Sequence, residues 1–568
     1  MPKIETSEKL FYGLLGKTLT DSQLEEILPV AKAELDGHED DLLKIELNDT
    51  NRPDLWSAAG VARLLKAYWG VEAPVYDFCS TKEETFDHEG RVLHVHSSVS
   101  TVRPYGIAFA AKGHTIDEHD LEALIQSQEK LCSNFGRKRK TIAMGIYRSS
   151  LIKYPVHYKG VDPDKTSFVP LGMSEKLTLR DICKVHPKGK EYGPIVANSP
   201  LFPYITDDNG ETLSFPPVIN SARIGAVEVG DSELFLELSG TDLPDMLLAA
   251  SIMACDMSDL GFEILPVKVV FPEETQYGKE ITVPYYFQEP TSCPLALVHK
   301  TLGEKMTGEE AVAALKKMGI YAFYSDDTIY ATVPEFRNDF LHPADLVEDI
   351  MIGYGLGNFE PEMPQDFTVG RLTVAEEMGR KVKDIMVGLG FQEMVYNYLG
   401  SRREYATNME VDGKQYIAIS NPMSENYEMV RPSIIPSLME SESVSGHAPF
   451  PHKIFEVGKV AFLDDTDNSG TTTRNNLGFL SSDSVMGFNE VSSLVNTLMY
   501  FLGKEYSLSS LEGDTRFIEG RCAAVMLGET KVGVFGEIHP KVLENWGSDM
   551  PTVACEIDLD LVMAETSS

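Results

Sequence analysis

The chain has 568 residues, of which 43% are hydrophobic and 24% charged, and its formal net charge is −37. This is the composition of ordinary globular material, and the length predicts about three to five domains because single cores stop growing near 250–300 residues. Phosphate neutralisation dominates binding to nucleic acid, so the acidic balance excludes a protein that binds polyanions without a local basic patch or a basic partner.

The seven cysteines are scattered and form no C-x-x-C pair, which argues against zinc ribbons and disulfide frameworks. The longest nearly uncharged apolar run, around Met246 to Met253, is far shorter than the roughly 20 residues that span a bilayer. The N-terminal stretch MPKIETSEKLF has early acids and no apolar signal core. We therefore expect a cytoplasmic protein without a membrane segment.

Residues 1–85 predict a small α/β module. Asp21 is a candidate cap for a helix with apolar residues on one face. The alternation of Leu43, Ile45 and Leu47 predicts a strand, and 55–68 reads as an amphipathic helix.

Residues 86–268 predict a longer mixed α/β domain. Asp208, Asn209 and Gly210 are a strong hairpin signal, and ELFLELSG predicts a strand ending at Gly240. The region contains no G-x-S-x-G, H-E-x-x-H or Walker A pattern. Any hydrolytic chemistry would therefore rest on polar groups of a pocket and on water.

Two smaller features of this region admit a functional and an ordinary reading. His94 and His96 lie two apart on one strand and could be a ligand pair, but without a third ligand a half-exposed strand is the better interpretation. The dense basic run 137–140, RKRK, is either a nucleic-acid contact or a solvated loop.

Residues 272–357 predict a small module of helices and a hairpin. Thr307 and Glu310 form a capping-box pattern, and Gly319 ends that helix. A hairpin over 320–333 follows, and Pro343 suits the first turn of another helix.

Four carboxylates gather around the start of that last helix. Asp345, Glu348 and Asp349 are spaced i, i+3 and i+4, which places them on one helical face, and Asp339 lies in the preceding loop. Hard oxygen ligands arranged in this way suit Mg2+. The alternative is that acidic side chains stabilise the positive end of the helix.

Residues 365–568 predict an α+β domain. A long helix near 374–390 leads into a strand, and strands over 523–527 and 532–535 are joined by a turn. We expect an antiparallel sheet with helices against one face.

The chain as a whole resembles the β subunit family of phenylalanyl-tRNA synthetases. The resemblance rests on collinear motifs from end to end, namely NRPDLWSAAGVAR, FGRKRKTIAMGI, LSFPPVINS, ELSGTDL, VPEFRNDFLHPADLVEDIMIGYG, NPMSEN, VRPSIIPSL and FGEIHPKVLENW. The shorter archaeal and eukaryotic form fits better than the long bacterial form.

This resemblance implies an α2β2 enzyme that attaches L-phenylalanine to tRNA(Phe), with ATP bound and aminoacylation carried out by the α subunit. The fold is then an α+β multidomain protein with an N-terminal module, an editing domain at 86–268, a Mg2+-binding module at 272–357 and a class II synthetase-like domain at 365–568. That last domain is expected to be catalytically silent and to pack on the α subunit. It has no G-x-G-x-G-x-E-R stretch, and FGEIHPKVLENW lacks an arginine to bind phosphate.

The resemblance also implies two sets of site residues. The family's Mg2+ pattern falls on Asp339, Asp345, Glu348 and Asp349. Its site for hydrolysis of tyrosyl-tRNA(Phe) falls on Ser214, Glu237 and Ser239, where Glu237 would accept the tyrosine hydroxyl and the serines would orient the ester or its water. The chain has Glu237 and Ser239 where the family pattern leads us to expect Asp and Thr.

Two alternatives remain open at this point. Strand alternation by itself would make Glu237 and Ser239 outward-facing surface positions. The whole chain could also be a non-catalytic scaffold or a stand-alone hydrolase of misacylated tRNA, which would need no α subunit.

Overall fold

The structure is a computed structural model that describes residues 2–49 and 51–564. The chain divides into two compact units, with the boundary after Met363. This boundary falls close to the start of the predicted C-terminal domain at 365.

The first unit is a mixed α/β structure. Its helices are α1 (Glu8–Leu15), α2 (Asp21–Ile27), α3 (Ala58–Tyr68), α4 (Glu118–Lys130), α5 (Leu179–Val185), α6 (Pro187–Tyr192), α7 (Leu243–Asp259), α8 (Leu295–Leu302), α9 (Gly308–Lys317) and α10 (Pro343–Tyr354).

Strands alternate with these helices along the chain. They are β1 (Lys3–Ser7), β2 (Ala33–Glu39), β3 (Leu42–Leu47), β4 (Val92–Val95), β5 (Tyr105–Lys112), β6 (Ile142–Arg148), β7 (Val156–Val161), β8 (Ser167–Phe168), β9 (Leu177–Thr178), β10 (Phe202–Thr206), β11 (Thr212–Phe215), β12 (Ile219–Asn220), β13 (Glu233–Gly240), β14 (Glu263–Leu265), β15 (Val267–Val270), β16 (Glu280–Val283), β17 (Thr291–Pro294), β18 (Tyr321–Ser325) and β19 (Thr328–Thr332).

Two sheets form the middle of this unit. One is antiparallel, with strand order β14-β5-β13-β6, and the other is mixed, with order β12-β11-β10-β7-β4-β15-β16. Helix α7 contacts β5 and β13. Strand β13 is buried from Leu234 to Gly240, so the central strand of the antiparallel sheet is covered on both faces.

The main hydrophobic core of the first unit runs from Ile4 to Ile350, and a second, smaller cluster contains Phe202 and Phe215. The guanidinium of Arg63 on α3 donates to Asp256 and Asp259 on α7 at 2.7 Å each, which ties the N-terminal module to the middle region. Strand β16 continues the mixed sheet beyond the predicted boundary at 268. The finer division at 85, 268 and 272 therefore stays a prediction.

The local signals in the sequence have mixed outcomes. The capping box of Thr307 and Glu310 and the hairpin at Gly210 are confirmed. The cap predicted at Asp21 is wrong, because Thr20 caps α2 in a capping box with Gln23 and Asp21 is the first helical residue. The predicted helix-hairpin-helix module also contains β17, which makes its sheet three-stranded in the order β17-β19-β18.

The second unit is built on one large sheet. Its helices are α11 (Val374–Gly388), α12 (Ile435–Val444), α13 (Phe488–Leu502), α14 (Pro540–Trp546) and α15 (Leu559–Ala564). Its strands are β20 (Gln392–Glu393), β21 (Leu399–Gly400), β22 (Met429–Val430), β23 (His452–Leu463), β24 (Thr471–Ser482), β25 (Ser507–Ser510), β26 (Phe517–Leu527), β27 (Thr530–Ile538) and β28 (Thr552–Asp558).

The main sheet has the order β20-β23-β24-β28-β27-β26-β25 and is antiparallel except for the parallel pair β20 and β23. The prediction of helices against one face is wrong. Helices α11 and α13 share a core with Phe479 and Phe535, while α12 and α14 share another with their strand neighbours Leu480 and Val534. Consecutive apolar residues in these strands bury both faces of the sheet.

A charged pair lies inside this second unit. The guanidinium of Arg431, which is fully buried, donates to both carboxylate oxygens of Glu456 at 2.6 and 2.9 Å. The bidentate geometry compensates two charges that are both removed from water.

Among the described residues, the structure contains no helix whose length and apolar character would let it cross a membrane.

We expect Glu456→Gln to destabilise the second unit strongly, because it leaves the buried Arg431 cation without its carboxylate. Loss of one partner of a buried ion pair costs about 3–5 kcal/mol in the free energy of unfolding. Urea unfolding followed by fluorescence measures the change. The matched control is Glu544→Gln, which removes the exposed partner of Lys541 and should cost less than about 1 kcal/mol. Equal losses for the two variants would contradict the prediction.

Candidate functional site

Two of the predicted site residues lie on β13, in the centre of the antiparallel sheet. Glu237 is paired with Ala108 of β5 and Gly145 of β6, and Ser239 is two residues further along the strand. Only 2% of Glu237 and none of Ser239 is exposed. The alternative that these are outward-facing surface positions is therefore wrong, because both side chains are buried between the antiparallel sheet and the mixed sheet.

Ser214, the third predicted residue, belongs to the neighbouring mixed sheet. It lies on β11 and is 2% exposed. The phenol of Tyr147 on β6 joins it to Glu237, since the phenol donates to Ser214 Oγ at 2.8 Å and lies 3.2 Å from Glu237 Oε2. The structure thus brings Ser214 and Glu237 into one buried polar cluster through a residue that the sequence reasoning missed.

The phenol of Tyr147 has room because residue 145 is a glycine. A Cβ atom placed on Gly145 would lie 2.0 Å from the phenol oxygen, closer than any two such atoms can approach. Tyr147 and Gly145 are two apart on β6, so their side-chain positions share one face with Glu237. Tyr147 becomes part of the site only through the pairing of β6 with β13.

The side chain of Arg103 holds the backbone around the cluster in place through hydrogen bonds. Its buried guanidinium donates to the carbonyl of Ser239 and, at 3.0 Å each, to the carbonyls of Arg139 and Lys140. Burial lowers the pKa of Arg103. Because the three carbonyls share one cation, the end of β13 and the basic run are fixed relative to each other.

The carboxyl of Glu237 is protonated at neutral pH. Burial raises its pKa to about 8, against the opposing effects of the Tyr147 hydrogen bond and the Arg103 cation. Its Oε1 atom and the Ser239 hydroxyl have no hydrogen-bond partner of good geometry among the described residues. A neutral carboxyl can both donate and accept a hydrogen bond, so this group suits a ligand hydroxyl.

The basic run lies beside this site. Arg137, Lys138 and Arg139 all have positive φ, and the guanidinium of Arg139 lies 4.3 Å from the centre of the Tyr192 ring. The same guanidinium donates to the carbonyl of Pro217, three residues after Ser214, at 3.1 Å. Arg137 and Lys138 remain exposed. Two exposed cations therefore lie on the turn that Arg139 connects to the segment carrying Ser214.

The four carboxylates predicted to bind Mg2+ are engaged by other groups. Arg337 forms a bidentate pair with Asp339 at 2.9 and 2.6 Å, and its third nitrogen lies 2.8 Å from Asp349. The remaining two carboxylates also have partners. Asp345 accepts the backbone N–H groups of residues 341 and 342, and Glu348 accepts Lys32 at 2.8 Å.

This arrangement does not fit a four-carboxylate Mg2+ site. A guanidinium stands between Asp339 and Asp349 where a dication would be placed, while Asp345 caps its own helix. Arg337 lowers the pKa of Asp339 despite the opposing effect of burial. Across residues 2–49 and 51–564, no three His, Cys, Asp or Glu side chains are placed to hold a metal ion.

His94 on β4 and His96, which follows that strand, have a neighbour that the sequence did not indicate. His157 on β7 lies 3.2 Å from His96, measured from Nδ1 to Nε2, and its ring stacks on that of His94. Residues of β4 alternate between half-buried and buried, which confirms the prediction of a half-exposed strand.

Two family models match the chain. Residues 360–559 match the phenylalanyl tRNA synthetase beta chain CLM domain, and residues 291–356 match the tRNA synthetase B5 domain. The second match lies within the predicted module at 272–357.

Relatives of known name match over the full length. The phenylalanine–tRNA ligase beta subunit of Borrelia turicatae is 46% identical over 566 residues, covering 99% of this chain and 100% of the relative. That of Borreliella burgdorferi (strain ZS7) is 46% identical over 570 residues, with both chains fully covered. The crystal structure of an N-terminal fragment of the phenylalanyl-tRNA synthetase beta subunit from Pyrococcus horikoshii has a TM-score of 0.58 and 32% identity, covering 62% of this chain and all of the fragment.

These relatives correct one part of the sequence interpretation. The two full-length relatives are bacterial, so the assignment to an archaeal or eukaryotic form is not supported, and the short form of the subunit also occurs in bacteria. With 46% identity over nearly every residue of both chains, the protein belongs to the phenylalanine–tRNA ligase beta subunit family.

Proposed function

We propose that this subunit works with an α subunit in an α2β2 enzyme of the cytoplasm that attaches L-phenylalanine to tRNA(Phe) at the expense of ATP. Its own contributions are to support the α subunit, which carries the aminoacylation site, and to hydrolyse tyrosyl-tRNA(Phe). The first role is supported by membership of an aminoacyl-tRNA ligase family. The second role, hydrolysis, is supported by the buried cluster of Ser214, Tyr147 and Glu237.

The interior of the second unit supports a catalytically silent domain. Arg431 directs its guanidinium to Glu456, and Glu556 accepts the hydroxyl of Ser433 and the backbone N–H of Ile434. Phosphate groups of ATP need arginine forks that are free to bind them. Arg431 is instead neutralised by Glu456, and Glu556 accepts from neutral donors, so we assign ATP binding to the α subunit.

Discrimination between tyrosine and phenylalanine follows from the chemistry of Glu237. A pocket that accepts the ring of phenylalanine excludes the ring of tyrosine poorly, so a synthetase gains accuracy from a second, hydrolytic site. A buried carboxyl that hydrogen-bonds the tyrosine hydroxyl remains unpaired when phenylalanine binds, and such a loss discriminates by up to about ten-thousand-fold.

The reaction is hydrolysis of the ester between the amino acid and the terminal ribose. The oxygen of water bonds to the ester carbonyl carbon, the bond from that carbon to the ribose oxygen breaks, and the ribose oxygen takes up a proton. We assign Ser214 and Ser239 the role of orienting the ester or the water, as the family resemblance implies. Arg137 and Lys138 are exposed, and we assign them contacts with phosphates near the end of tRNA(Phe).

Mg2+ remains a prediction from the family resemblance for Asp339, Asp345, Glu348 and Asp349. The partners that these carboxylates have in this chain do not favour it, and no step of the proposed function depends on the metal.

The division of labour is tested by expressing the chain with and without the α subunit of the same organism. We expect stoichiometric co-purification and phenylalanylation of tRNA(Phe) only when both are present, because the ATP-binding arginines belong to the α subunit. Formation of phenylalanyl-adenylate by this chain alone would contradict the division. A stable lone chain that hydrolyses misacylated tRNA without the α subunit would instead favour the stand-alone hydrolase.

Glu237→Ala tests the editing site in the assembled enzyme. Because alanine removes both the donor and the acceptor that the neutral carboxyl offers to a ligand hydroxyl, we expect deacylation of tyrosyl-tRNA(Phe) to slow by about ten- to a hundredfold. The measurement is hydrolysis of preformed tyrosyl-tRNA(Phe), and phenylalanylation should be unaffected. Glu233→Ala, at the exposed first residue of β13, is the matched control. Hydrolysis at the wild-type rate in Glu237→Ala would remove Glu237 from the site.

The protonated state of Glu237 predicts a pH dependence of stability. In the folded protein the pKa is about 8, above the ordinary value of 4.5 that applies to the unfolded chain, so folding takes up a proton between these values. Stability is therefore lost as the pH rises from about 4.5 to 8, by on the order of a few kcal/mol. Thermal unfolding of wild type and Glu237→Gln across this range should show the variant losing less stability. Parallel curves would show that the carboxyl is already ionised in the folded protein.

A further inference from the structure

The proposed editing site is filled by a phenol that belongs to the chain itself. None of Tyr147 or Ser239 is exposed, and Ser214 and Glu237 are each 2% exposed. The tyrosyl group of a misacylated tRNA reaches these residues only after a side chain has moved. Tyr147 is the side chain that presents the same functional group as the substrate.

We infer that the Tyr147 phenol occupies the position of the substrate's phenol and must leave it before tyrosyl-tRNA(Phe) can bind. This inference rests on the editing function proposed above and concerns the same site. When no tRNA is bound, the Tyr147 phenol takes the place of the substrate's phenol and keeps the pocket closed.

The hydrogen bonds of Tyr147 carry the inference. The phenol donates to Ser214 Oγ at 2.8 Å and lies 3.2 Å from Glu237 Oε2, so it uses two of the three groups that the family resemblance assigns to editing. A substrate phenol that binds to Glu237 needs the same oxygen of the same carboxyl or its unpartnered neighbour Oε1.

The space around the phenol oxygen leads to the same conclusion. The oxygen fills the volume that any side chain at residue 145 would take, as shown by the distance of 2.0 Å from an added Cβ. Ala108 flanks Glu237 on the other side of β13. Small residues on both neighbouring strands therefore leave one phenol-sized space beside Glu237, and in this structure Tyr147 occupies it.

The position of Tyr147 in the sheet is compatible with movement. Strand β6 is the edge strand of the antiparallel sheet and pairs only with β13 within the described residues. On its outer side the backbone N–H of Arg148 donates to the carbonyl of Ile224, and Asn220 donates to the carbonyl of Ile146 at 3.4 Å. Gln128 on α4 also donates to the carbonyl of Met144, and Arg148 pairs with Glu228 and Asp231. Individual contacts of this kind, and no paired strand among the described residues, hold the outer side of β6, whereas β13 is paired on both sides.

Closure by Tyr147 protects correctly charged tRNA. Every aminoacyl group that enters must first displace the Tyr147 phenol, and only tyrosine replaces the hydrogen bonds that are lost. The cost of displacement is the same for both amino acids, so Tyr147 lowers the hydrolysis of both esters without changing the preference between them. Glu237 sets the preference, and Tyr147 sets the absolute rate.

The test is Tyr147→Phe in the assembled α2β2 enzyme, with preformed tyrosyl-tRNA(Phe) and phenylalanyl-tRNA(Phe) as substrates. Removing the phenol oxygen weakens closure by one or two buried hydrogen bonds, so kcat/KM should rise about three- to tenfold for both esters. The ratio of the two kcat/KM values should not change. Tyr12→Phe is the matched control, since it removes a buried phenol oxygen that donates to the carbonyl of Leu19, outside the site.

A second variant separates closure from a positioning role. Gly145→Ala places a methyl group 2.0 Å from the position of the phenol oxygen, which excludes the Tyr147 phenol and a substrate phenol in the same place alike. We expect hydrolysis of tyrosyl-tRNA(Phe) to fall at least tenfold in this variant while phenylalanylation is retained. If the Tyr147 phenol instead positions Glu237 for catalysis, both variants remove it from Glu237 and both lower the rate.

The outcomes distinguish this inference from the proposed function. Wild-type hydrolysis in Glu237→Ala removes the editing site itself. Loss of hydrolysis in Glu237→Ala, together with an unchanged or lowered kcat/KM in Tyr147→Phe, retains the editing site and overturns closure by Tyr147. A rise in Tyr147→Phe and a fall in Gly145→Ala support it.

Discussion

The first unit contains a carboxyl group in the middle of a buried strand, and its fold depends on that group being neutral or hydrogen-bonded. An acidic side chain in the centre of a sheet cannot be hydrated, and removing it from water costs several kcal/mol unless it is neutral or hydrogen-bonded. In this chain Glu237 meets that constraint in two ways, by holding its proton and by lying next to the Tyr147 phenol. The two sheets meet around this arrangement, since the same phenol reaches Ser214 on the second sheet.

A polar interior of this kind is costly for stability and is therefore informative about function. Replacing the cluster by apolar side chains of the same volume would be neutral or favourable for folding. Instead, one oxygen of Glu237 and the hydroxyl of Ser239 have no hydrogen-bond partner of good geometry in the part of the chain that the structure describes. Buried groups with unused hydrogen-bonding capacity are what a ligand hydroxyl needs, and the same deficit explains why an apolar ligand would bind poorly there.

Short-range features were predictable from the sequence, and long-range ones were not. The hairpin at Gly210, the capping box at Thr307 and the strand ending at Gly240 depend on neighbouring residues and were identified correctly. Tyr147 and Arg103 join the site only through the pairing of β6 with β13 and through backbone carbonyls, neither of which leaves a pattern in the sequence. Similarly, the alternation of β13 could not show that a second sheet covers its polar face.

The carboxylates of α10 illustrate the same limit. Helical spacing correctly placed Asp345, Glu348 and Asp349 near one another, but it carried no information about cations that arrive from elsewhere. Lys32 approaches Glu348 from 316 residues away, and Arg337 folds back onto Asp349. In the second unit, the runs of consecutive apolar residues did indicate a sheet buried on both faces, and the prediction of one covered face gave them too little weight.

The hydrogen bonds from the Arg103 guanidinium to three backbone carbonyls affect how the exposed side chains of Arg137 and Lys138 can bind an anion. The turn that carries Arg137 and Lys138 is anchored at both of its following residues and stacks on Tyr192, so its backbone is already ordered in the free protein. An anion that approaches it does not have to immobilise a flexible loop, and fixing each residue of such a loop would cost about 1–2 kcal/mol. The entropy loss occurs once, during folding, and a strongly acidic protein can therefore offer a small basic surface that binds without reorganisation.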